Sequence, residues 1–272
     1  MTLRRLDAEL TRRGLARSRE HAQVLIDGGS VLVRGAVAQK AATRVDAADP
    51  IVVSAGAQHS WVSRGALKLL GALDAFADLK VTGRYALDAG ASTGGFTEVL
   101  LSRGAAAVIA VDVGYGQIAW KLREDPRVHL LERTNVRHLE VAHLPWRPDL
   151  ITGDLSFISL AVVLPALLRC MTDDGDLCLL VKPQFEAGRD HVKRGVVRDP
   201  DQHRAVLAGV AQSVQSFGCW VMGVTDSPLL GPAGNREFFL WARRSQFLPT
   251  EALVGETLDA AILDAVSEVS SE

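Results

Sequence analysis

The chain has 272 residues, of which 48% are hydrophobic and 23% charged, the ordinary balance of a globular protein with a sizeable core. Its longest nearly apolar run, Leu160 to Met171, contains Pro165 and Arg169 and is shorter than the roughly 18 residues of a membrane-spanning helix. The three cysteines form neither a CxxC pair nor an even set, and the N-terminus lacks the apolar core of a signal peptide. The composition therefore predicts a cytoplasmic protein without zinc or disulfides.

The net charge of −2 conceals an uneven distribution along the chain. Residues 1–68 carry 11 lysines and arginines against 6 acids, a balance of +5, and the remainder carries −7. A short basic segment joined to an acidic body is typical of a polyanion-binding module attached to a second domain. The same charge also suits an ordinary solvated surface, so charge alone leaves both interpretations open.

The first sixty residues predict a small unit of two helices followed by a hairpin. Leu3, Leu6 and Leu10 recur at helical spacing, with arginines on the opposite side, and Gly14 indicates the end of this helix. Ser18 predicts the N-cap of a second helix. A unit of this size has a small core and is only marginally stable by itself.

Turn residues delimit the second helix and the strands after it. Gly28 and Gly29 end the helix, and the apolar residues that follow alternate up to a turn at Arg34 and Gly35. The pattern "RLDAELTRRGLARSREHAQVLIDGGSVLVRGAVAQKAATRV" resembles the small RNA-binding domain, of the S-four fold, found in a small-subunit ribosomal protein and many pseudouridine synthases. By this resemblance, six arginines lie against RNA phosphates: Arg4, Arg5, Arg12, Arg13, Arg17 and Arg19. The alternative is a solvated helix face.

Small and polar residues from Ser54 to Ser60 separate this unit from a larger domain. After them, short apolar segments alternate with helix-length segments: "YALDAG", "AAVIAVDVG", "VHLLER", "DLITGDLS" and "LCLLVKP". That rhythm predicts a doubly wound α/β fold with a mostly parallel sheet, and "CWVMGVTD" with "EFFLWAR" predict an antiparallel pair at its edge. The expected domains are a basic unit at 1–58, a linker at 59–63, the α/β domain at 64–245 and an acidic C-terminal extension at 246–272.

The loop "LDAGASTGGFT", residues 87–97, connects the first strand of the sheet to a helix, at the edge where ligands bind. Its glycines, Gly90, Gly94 and Gly95, have the spacing GxxxGG instead of GxGxxG. Ser92 stands where a pyrophosphate site needs glycine. The loop also lacks the GK[ST] sequence of a Walker phosphate-binding loop. The spacing therefore disfavours dinucleotide and phosphate ligands.

Asp112 ends the second strand, 22 residues after Gly90. A carboxylate at this position can accept hydrogen bonds from both hydroxyls of a ribose. The cofactor that remains has ribose and adenine but no phosphate, which describes S-adenosylmethionine. A generic α/β turn with an acid at a strand end is the alternative interpretation.

Four charged residues fall on or near predicted strand ends: Lys68, Asp154, Lys182 and Glu237. Asp154 and Lys182 follow the fourth and fifth strands, while Glu237 begins the last strand and Lys68 lies on the helix before the sheet. Methyl transfer to a ribose hydroxyl requires that its proton be removed or polarised. A lysine serves as base where a second ammonium and partial burial lower its pKa, and acids then orient the lysines. Each lysine taken singly also suits an ordinary surface position.

Eight motifs together resemble the TlyA family, in which the small RNA-binding domain is fused to an FtsJ-like ribose methyltransferase: "RGLARSREHA", "VSRGALKL", "LDAGASTGGFT", "VDVGYGQ", "TNVR", "GDLSFISL", "LVKPQFEAGR" and "GPAGNREFFL". The resemblance extends from about Leu3 to Leu240. It implies a Rossmann-like methyltransferase fold and 2′-O-methylation of cytidines in ribosomal RNA, with S-adenosylmethionine as methyl donor. It further implies ribosomal subunits as partners, no DNA partner, and sensitivity of the methylated ribosomes to capreomycin-type antibiotics.

The resemblance also implies which residues form the site. The family's catalytic tetrad falls on Lys68, Asp154, Lys182 and Glu237, with Lys182 nearest the reacting hydroxyl and Asp154 orienting it. No metal is expected. The residues expected to contact the cofactor are Asp88, Gly90, Ser92, Thr93, Gly94, Gly95, Phe96, Thr97, Asp112, Val113, Asn135 and Val136.

Some members of the family modify only large-subunit RNA and others modify both subunits, the dual type tending to carry extra residues at both ends. Residues 246–272 contain six acids and no basic residue, which favours the dual type. One weak helical face is predicted there, formed by Leu258, Ile262, Val266 and Val269.

Two other classes of function are less favoured than the methyltransferase, and a different observation bears on each. The family has also been labelled haemolysin, yet no spanning or strongly amphipathic segment supports a membrane-lytic protein. If the protein is a non-catalytic RNA-binding assembly factor, Lys182→Ala is expected to leave the biological effect intact.

The linker departs from the family pattern. The family has a basic residue before the aromatic-Val pair, where this chain has His59 and Ser60.

Overall fold

The computed structural model describes residues 3–27, 29–38, 40–53, 61–187 and 195–267. The chain divides into two compact units, Met1–Leu67 and Lys68–Glu272. Within the described ranges, none of the helices is long and apolar enough to cross a membrane. The expected roles of Gly28, His59, Ser60 and Val269 concern positions outside the described residues.

The first unit combines two helices with short strands. In chain order its elements are β1 (Arg4–Arg5), α1 (Leu6–Arg12), α2 (Arg19–Asp27), β2 (Val31–Val33), β3 (Ala36–Val37), β4 (Arg44–Val45) and β5 (Ile51–Val53). β1 pairs with β4, and β2 lies between β3 and β5 in an antiparallel sheet. The predicted hairpin turn is confirmed, because Arg34 and Gly35 both adopt positive φ between β2 and β3.

The first helix begins later than its leucine spacing predicts. Leu6 and Leu10 are fully buried, whereas Leu3 is exposed and precedes the extended residues of β1. The cause is a contact between distant parts of the sequence: the backbone N–H of Leu6 donates to the Thr43 carbonyl, next to the pairing of β1 with β4. The predicted cap is confirmed, since Ser18 Oγ accepts from the backbone N–H of His21 at 3.1 Å.

The larger unit is built from a sheet flanked by helices. Its strands are β6 (Tyr85–Ala89), β7 (Ala107–Val111), β8 (Val128–Leu131), β9 (Leu150–Gly153), β10 (Asp176–Val181), β11 (Cys219–Asp226) and β12 (Phe238–Arg244). The helices, beginning with the one that crosses the boundary at Leu67, are α3 (Gly65–Ala75), α4 (Gly95–Ser102), α5 (Trp120–Arg123), α6 (Leu160–Cys170), α7 (Pro183–Glu186), α8 (Pro200–Ser216) and α9 (Glu256–Ser267).

The seven strands lie in the order β11-β12-β10-β9-β6-β7-β8, and the predicted mostly parallel α/β sheet is confirmed. β6 to β10 run parallel, and β12 is antiparallel to both of its neighbours, β10 and β11. The predicted antiparallel pair is therefore present, with its reversed strand one place inside the edge. The chain leaves β6 toward β7 on one side and returns to β9 on the other, which makes the carboxyl end of β6 the switch point where ligands bind.

The C-terminal segment ends in a helix that packs on the sheet unit. Ile262, Ala265 and Val266 of α9 are buried in the core that contains the strands, α6 and α8. Arg236 anchors the helix, because its guanidinium donates to the carbonyls of Val266 at 2.6 Å and Ala265 at 3.1 Å. The face predicted from Ile262 and Val266 is thus the buried face of α9, with Leu258 partly buried against the same core.

Candidate active site at the carboxyl edge of the sheet

The loop between β6 and α4 turns so tightly that two of its glycines are required. Gly90 has φ +84°, and a Cβ there would stand 2.6 Å from the backbone oxygen of Asp154. Gly94 has φ +96°, and a Cβ there would overlap the side chain of Leu122. Positive φ together with a close backbone approach is the situation that only glycine tolerates. The loop is therefore held close to the end of β9.

The Asp112 carboxylate joins the glycine loop to the end of β7. Its Oδ2 accepts from the backbone N–H of Ser92 at 2.7 Å, and its Oδ1 accepts from that of Gly114, also at 2.7 Å. The backbone N–H of Gly90 adds a bond of 2.8 Å to the carbonyl of Val111. Because each carboxylate oxygen offers further lone pairs, Asp112 still has capacity to accept hydroxyl groups of a ligand.

A cavity of about 410 Å³ opens at this edge of the sheet, a volume in the range of small-molecule sites. Seven residues of the predicted site line it: Gly90, Ser92, Asp112, Val113, Asn135, Val136 and Asp154. Its other walls were not predicted and consist of Val111, Gln117, Thr134, Leu155, Ser156, Phe157, Ile158 and Val163. The predicted loop and strand ends therefore come together around one cavity.

The other predicted cofactor residues do not line this cavity: Asp88, Thr93, Gly94, Gly95, Phe96 and Thr97. All of them except Thr93 are buried. Thr97 donates to Oδ2 of Asp88 from its backbone N–H at 2.9 Å and from its hydroxyl at 2.7 Å, and both residues are fully buried. Phe96 stacks on Phe239, with ring centroids 6.0 Å apart. Burial raises the pKa of Asp88 to about 7, although the Thr97 hydrogen bonds oppose this shift.

Lys182 forms an ion pair with Asp154, a residue that lines the cavity. Nζ of Lys182 lies 2.5 Å from Oδ1 of Asp154 and donates to Oγ of Ser156 at 2.9 Å. The lysine side chain is 9% exposed and that of Asp154 is 24% exposed. An ammonium has three N–H groups, so two acceptors leave one donor for a substrate atom.

Lys68 and Glu237 form the second ion pair of the predicted tetrad. Nζ of Lys68 on α3 lies 2.5 Å from Oε2 of Glu237, and both side chains are buried. Acidic and basic residues are almost never this buried unless they are paired. The pair therefore fixes the position of Glu237, just before β12, and that of Lys68 on α3.

Strand register brings the two ion pairs together. In the antiparallel ladder of β10 and β12, Val181 pairs with Phe238, so the next positions, Lys182 and Glu237, face each other beyond the last paired residues. Asp154 directly follows β9, which pairs with β10 on its other side. Asp154, Lys182 and Glu237 thus lie at one edge of the sheet, at the carboxyl ends of β9 and β10 and the amino end of β12, and Lys68 joins them through its ion pair with Glu237.

Phe157 and Ser156 were missed by the sequence reasoning although both lie in the quoted motif "GDLSFISL". Phe157 is 91% exposed, adopts φ +63° and lies 5.0 Å from the ring of Phe185 between centroids. A non-glycine residue in this conformation is uncommon and clusters at functional sites. The available signal was a hydroxyl and an aromatic residue two and three positions after a strand-end acid.

The six arginines predicted to bind RNA occupy different surroundings in the first unit. Five of them pair with two acids of α1: Arg5 and Arg19 with Asp7, and Arg4, Arg12 and Arg13 with Glu9. Among the described residues, the Arg17 guanidinium has no ion-pair partner. The two acids that organise this cluster were not part of the predicted site.

Comparison with known proteins matches both units. An FtsJ-like methyltransferase model matches residues 61–244, and an S4 domain model matches residues 4–51. A protein of Mycobacterium tuberculosis named 16S/23S rRNA (cytidine-2′-O)-methyltransferase TlyA is 54% identical over 97% of each chain. A protein of Brachyspira hyodysenteriae named Hemolysin A is 35% identical over 86% of this chain and 97% of that protein.

A solved structure shares this architecture. A protein of Streptococcus thermophilus, provisionally named a hemolysin, superposes with a TM-score of 0.75 at 36% identity over 98% of this chain and 97% of that chain. The hemolysin names thus belong to homologues that share the methyltransferase sequence, and a name is no evidence of membrane activity. The matched models and the extent of identity confirm the resemblance recognised from the motifs, and the chain belongs to the FtsJ-like methyltransferase family.

Proposed function

We propose that this protein transfers the methyl group of S-adenosylmethionine to the ribose 2′-hydroxyl of cytidines in ribosomal RNA. The observation that carries the proposal is the ion pair between Lys182 and Asp154, the latter lining a cavity of about 410 Å³. This arrangement leaves one position on Nζ for a substrate atom, beside a site for a small nucleoside. The family membership and the TlyA-named relative support the same reaction.

The cavity suits a cationic nucleoside better than a phosphorylated one. Its described lining includes the carboxylates of Asp112 and Asp154 but neither lysine nor arginine. Phosphate sites are built from cations and converging N–H groups, whereas carboxylates favour a positively charged ligand. Asp112 would hold the ribose hydroxyls, with Val113 and Val136 against the adenine. S-adenosylmethionine supplies an electrophilic methyl group on a positively charged sulfur.

Lys182 is assigned to the reacting hydroxyl. In its neutral form, Nζ would accept the proton that the 2′-hydroxyl loses as its oxygen bonds to the methyl carbon and the bond from that carbon to the cofactor's sulfur breaks, which would leave the sulfur as a neutral thioether. Asp154, 2.5 Å away, then stabilises the new ammonium, and Ser156 fixes the direction in which Nζ points. General-base catalysis of this type contributes about 100- to 10,000-fold in rate.

The Lys68–Glu237 pair is assigned to support. Glu237 faces Lys182 across the β10–β12 ladder and binds Lys68. A positive charge held at Lys68 stabilises the negative charge that develops on the attacking oxygen. The tetrad therefore assigns proton acceptance to Lys182 and charge stabilisation to Lys68.

The RNA substrate is assigned to the basic first unit, which contains the six predicted arginines. We extend the proposal to both ribosomal subunits in the cytoplasm. The support is the 54% identity, over 97% of each chain, to the relative named as a methyltransferase of 16S and 23S rRNA. The expected domains, with the RNA-binding unit at 1–58 and the methyltransferase at 64–245, form part of the same proposal.

A methyl-transfer assay tests the proposal. Purified protein and S-adenosylmethionine labelled in the methyl group are incubated with ribosomal subunits from a strain that lacks the gene. The wild type is expected to label RNA, and Lys182→Ala is expected to lose at least about 100-fold in rate. Lys80→Ala, which removes an exposed lysine from the same unit, is the matched control and is expected to retain activity. Equal activity of Lys182→Ala and wild type would overturn the assignment, and absence of labelling by the wild type would overturn the function.

A further inference from the structure

Helix α1 buries two carboxylates inside the most basic part of the chain. Glu9 is fully buried and Asp7 is 5% exposed. Two negative charges beneath a surface that binds a polyanion weaken that binding by charge alone. We therefore expect the two carboxylates to favour binding of the polyanion in another way, which offsets this electrostatic cost.

The contribution is visible in their contacts with arginines. Glu9 accepts from Nε and Nη2 of Arg12 at 2.8 and 2.6 Å and from Nε of Arg13 at 2.8 Å. Asp7 accepts from Nε and Nη2 of Arg5 at 3.1 and 3.0 Å and from Nη2 of Arg19 at 2.9 Å. Hydrogen bonds from Arg5 and from Arg12 lower the pKa of Asp7 and of Glu9, respectively, to about 2, so both acids are charged at neutral pH.

The arginines differ in how far their side chains are exposed to solvent. Arg5, Arg12 and Arg19 have side chains 43%, 48% and 56% exposed, and Arg4, 3.6 Å from Glu9, is also about half exposed. Each of these guanidiniums keeps N–H groups that its acid does not occupy. Arg13 is 20% exposed and uses three of its other four N–H groups on the carbonyls of Asp46, Ala47 and Asp49.

We propose that Asp7 and Glu9 are positioning residues of a phosphate-binding surface formed by Arg4, Arg5, Arg12 and Arg19, and that Arg13 is a structural clamp outside it. Each buried carboxylate accepts hydrogen bonds from some N–H groups of its guanidiniums. The other N–H groups remain available to donate to RNA phosphates. The long side chains are thereby ordered before RNA arrives, which removes an entropy cost from binding. This inference rests on the proposed RNA substrate and adds which residues prepare its binding surface.

The proposal is tested by whether a charge-neutralising substitution raises or lowers the affinity for RNA. Glu9→Gln removes a negative charge, so electrostatics alone predicts tighter RNA binding, whereas loss of positioning predicts weaker binding. The full-length protein is titrated with deproteinised ribosomal RNA at several salt concentrations. Glu20→Gln is the matched control, since it neutralises an exposed acid on α2 of the same unit.

The expected result is about a 3- to 30-fold loss of RNA affinity for Glu9→Gln, with a shallower salt dependence because fewer phosphates are engaged. Glu20→Gln is expected to bind RNA at least as tightly as wild type. A merely structural role would not change the salt slope of the folded variant or couple Glu9 to a particular arginine. Combining Glu9→Gln with Arg12→Gln is therefore expected to cost less affinity than the two single losses added together.

Glu9→Gln binding RNA as tightly as Glu20→Gln would overturn the proposal. If Glu9→Gln unfolds the first unit at the assay temperature, Glu9→Asp takes its place, because it keeps the charge and shifts the carboxylate by one methylene; the same loss is expected, and wild-type affinity would contradict it. Binding is measured without methyl transfer, so a protein that binds RNA but transfers no methyl group refutes the proposed function and leaves this inference standing.

Discussion

Nζ of Lys182 lies 2.5 Å from Oδ1 of Asp154, although the two residues are 28 positions apart and follow different strands. β9 and β10 are parallel neighbours, so both side chains leave the same edge of the sheet. The pair is the closest link between the fold and the reaction assigned to it, because each of its members determines the orientation of the other.

Asp154→Asn is expected to lower kcat by about 100-fold or more, because the amide cannot stabilise the ammonium that forms on Lys182. Ser156→Ala is expected to lower kcat less, since it removes one of the two Nζ acceptors. Steady-state kinetics with ribosomal subunits gives both values. Asp174→Asn, at an exposed position before β10, is the control and is expected to match wild type. A kcat for Asp154→Asn equal to the control would show that the pair has no role in the reaction.

Gly90→Ala is expected to weaken cofactor binding and to cost about 1–3 kcal/mol of stability, because φ is +84° and the added Cβ would approach the Asp154 oxygen. The control is Gly209→Ala in α8, where a Cβ meets nothing within 4 Å. That change is expected to stabilise the protein by about 0.5–1 kcal/mol, since alanine is the better helix former. Thermal unfolding and calorimetric titration with S-adenosylmethionine measure the two effects. Unimpaired cofactor binding by Gly90→Ala would contradict the described loop.

Asp88 is expected to make stability depend on pH. Burial raises its pKa from 3.8 to about 7, so the folded state disfavours the ionised form. The contribution of Asp88 to the free energy of unfolding is most favourable below pH about 4, where its carboxyl is protonated in both the folded and the unfolded state. This contribution is lost as pH rises toward about 7. The free energy of unfolding of wild type relative to Asp88→Asn should therefore fall across this window, as urea denaturation at a series of pH values can show. A difference that is constant with pH would refute the raised pKa.

Arg236 directly precedes Glu237, which is proposed to belong to the catalytic tetrad, and its guanidinium contacts the end of α9. Arg236→Gln is expected to cost about 1.5–3 kcal/mol of stability, because two carbonyls at the end of α9 lose a charged donor. It should also lower kcat, since Glu237 is the next residue. Arg204→Gln, which removes an exposed ion pair within α8, is expected to cost about 0–1 kcal/mol. Urea denaturation of the two variants distinguishes these outcomes, and equal losses would remove the special role of the α9 contact.

The sheet was predictable because its central strands, β7, β9 and β10, are buried along their whole length and appear as nearly continuous apolar runs. All six residues of β10 are buried, as expected for a strand covered by helices on both sides. The start of α1 was not predictable in the same way. Leu3 fits the helical spacing, but pairing of β1 with β4 depends on residues forty positions away and overrides that local pattern.

The site was predictable where it consists of strand ends and glycines, and less so where it depends on neighbours. Gly90, Asp112 and Asp154 line the cavity as predicted, whereas Phe96 and Thr97 are buried and do not line it. Periodicity does not reveal which side of a tight loop a residue faces. The arginine cluster illustrates the same limit, since sequence identified its cations but not the buried Glu9 that orders them.

The most direct test of the central claim is mass-spectrometric mapping of 2′-O-methylcytidine in both ribosomal RNAs from cells with the intact gene, without it, and with Lys182→Ala. We predict at least one methylated cytidine in each RNA that is present with the wild type and absent from the other two strains. Identical methylation in all three strains would contradict the assignment of this chain as a ribosomal RNA ribose methyltransferase.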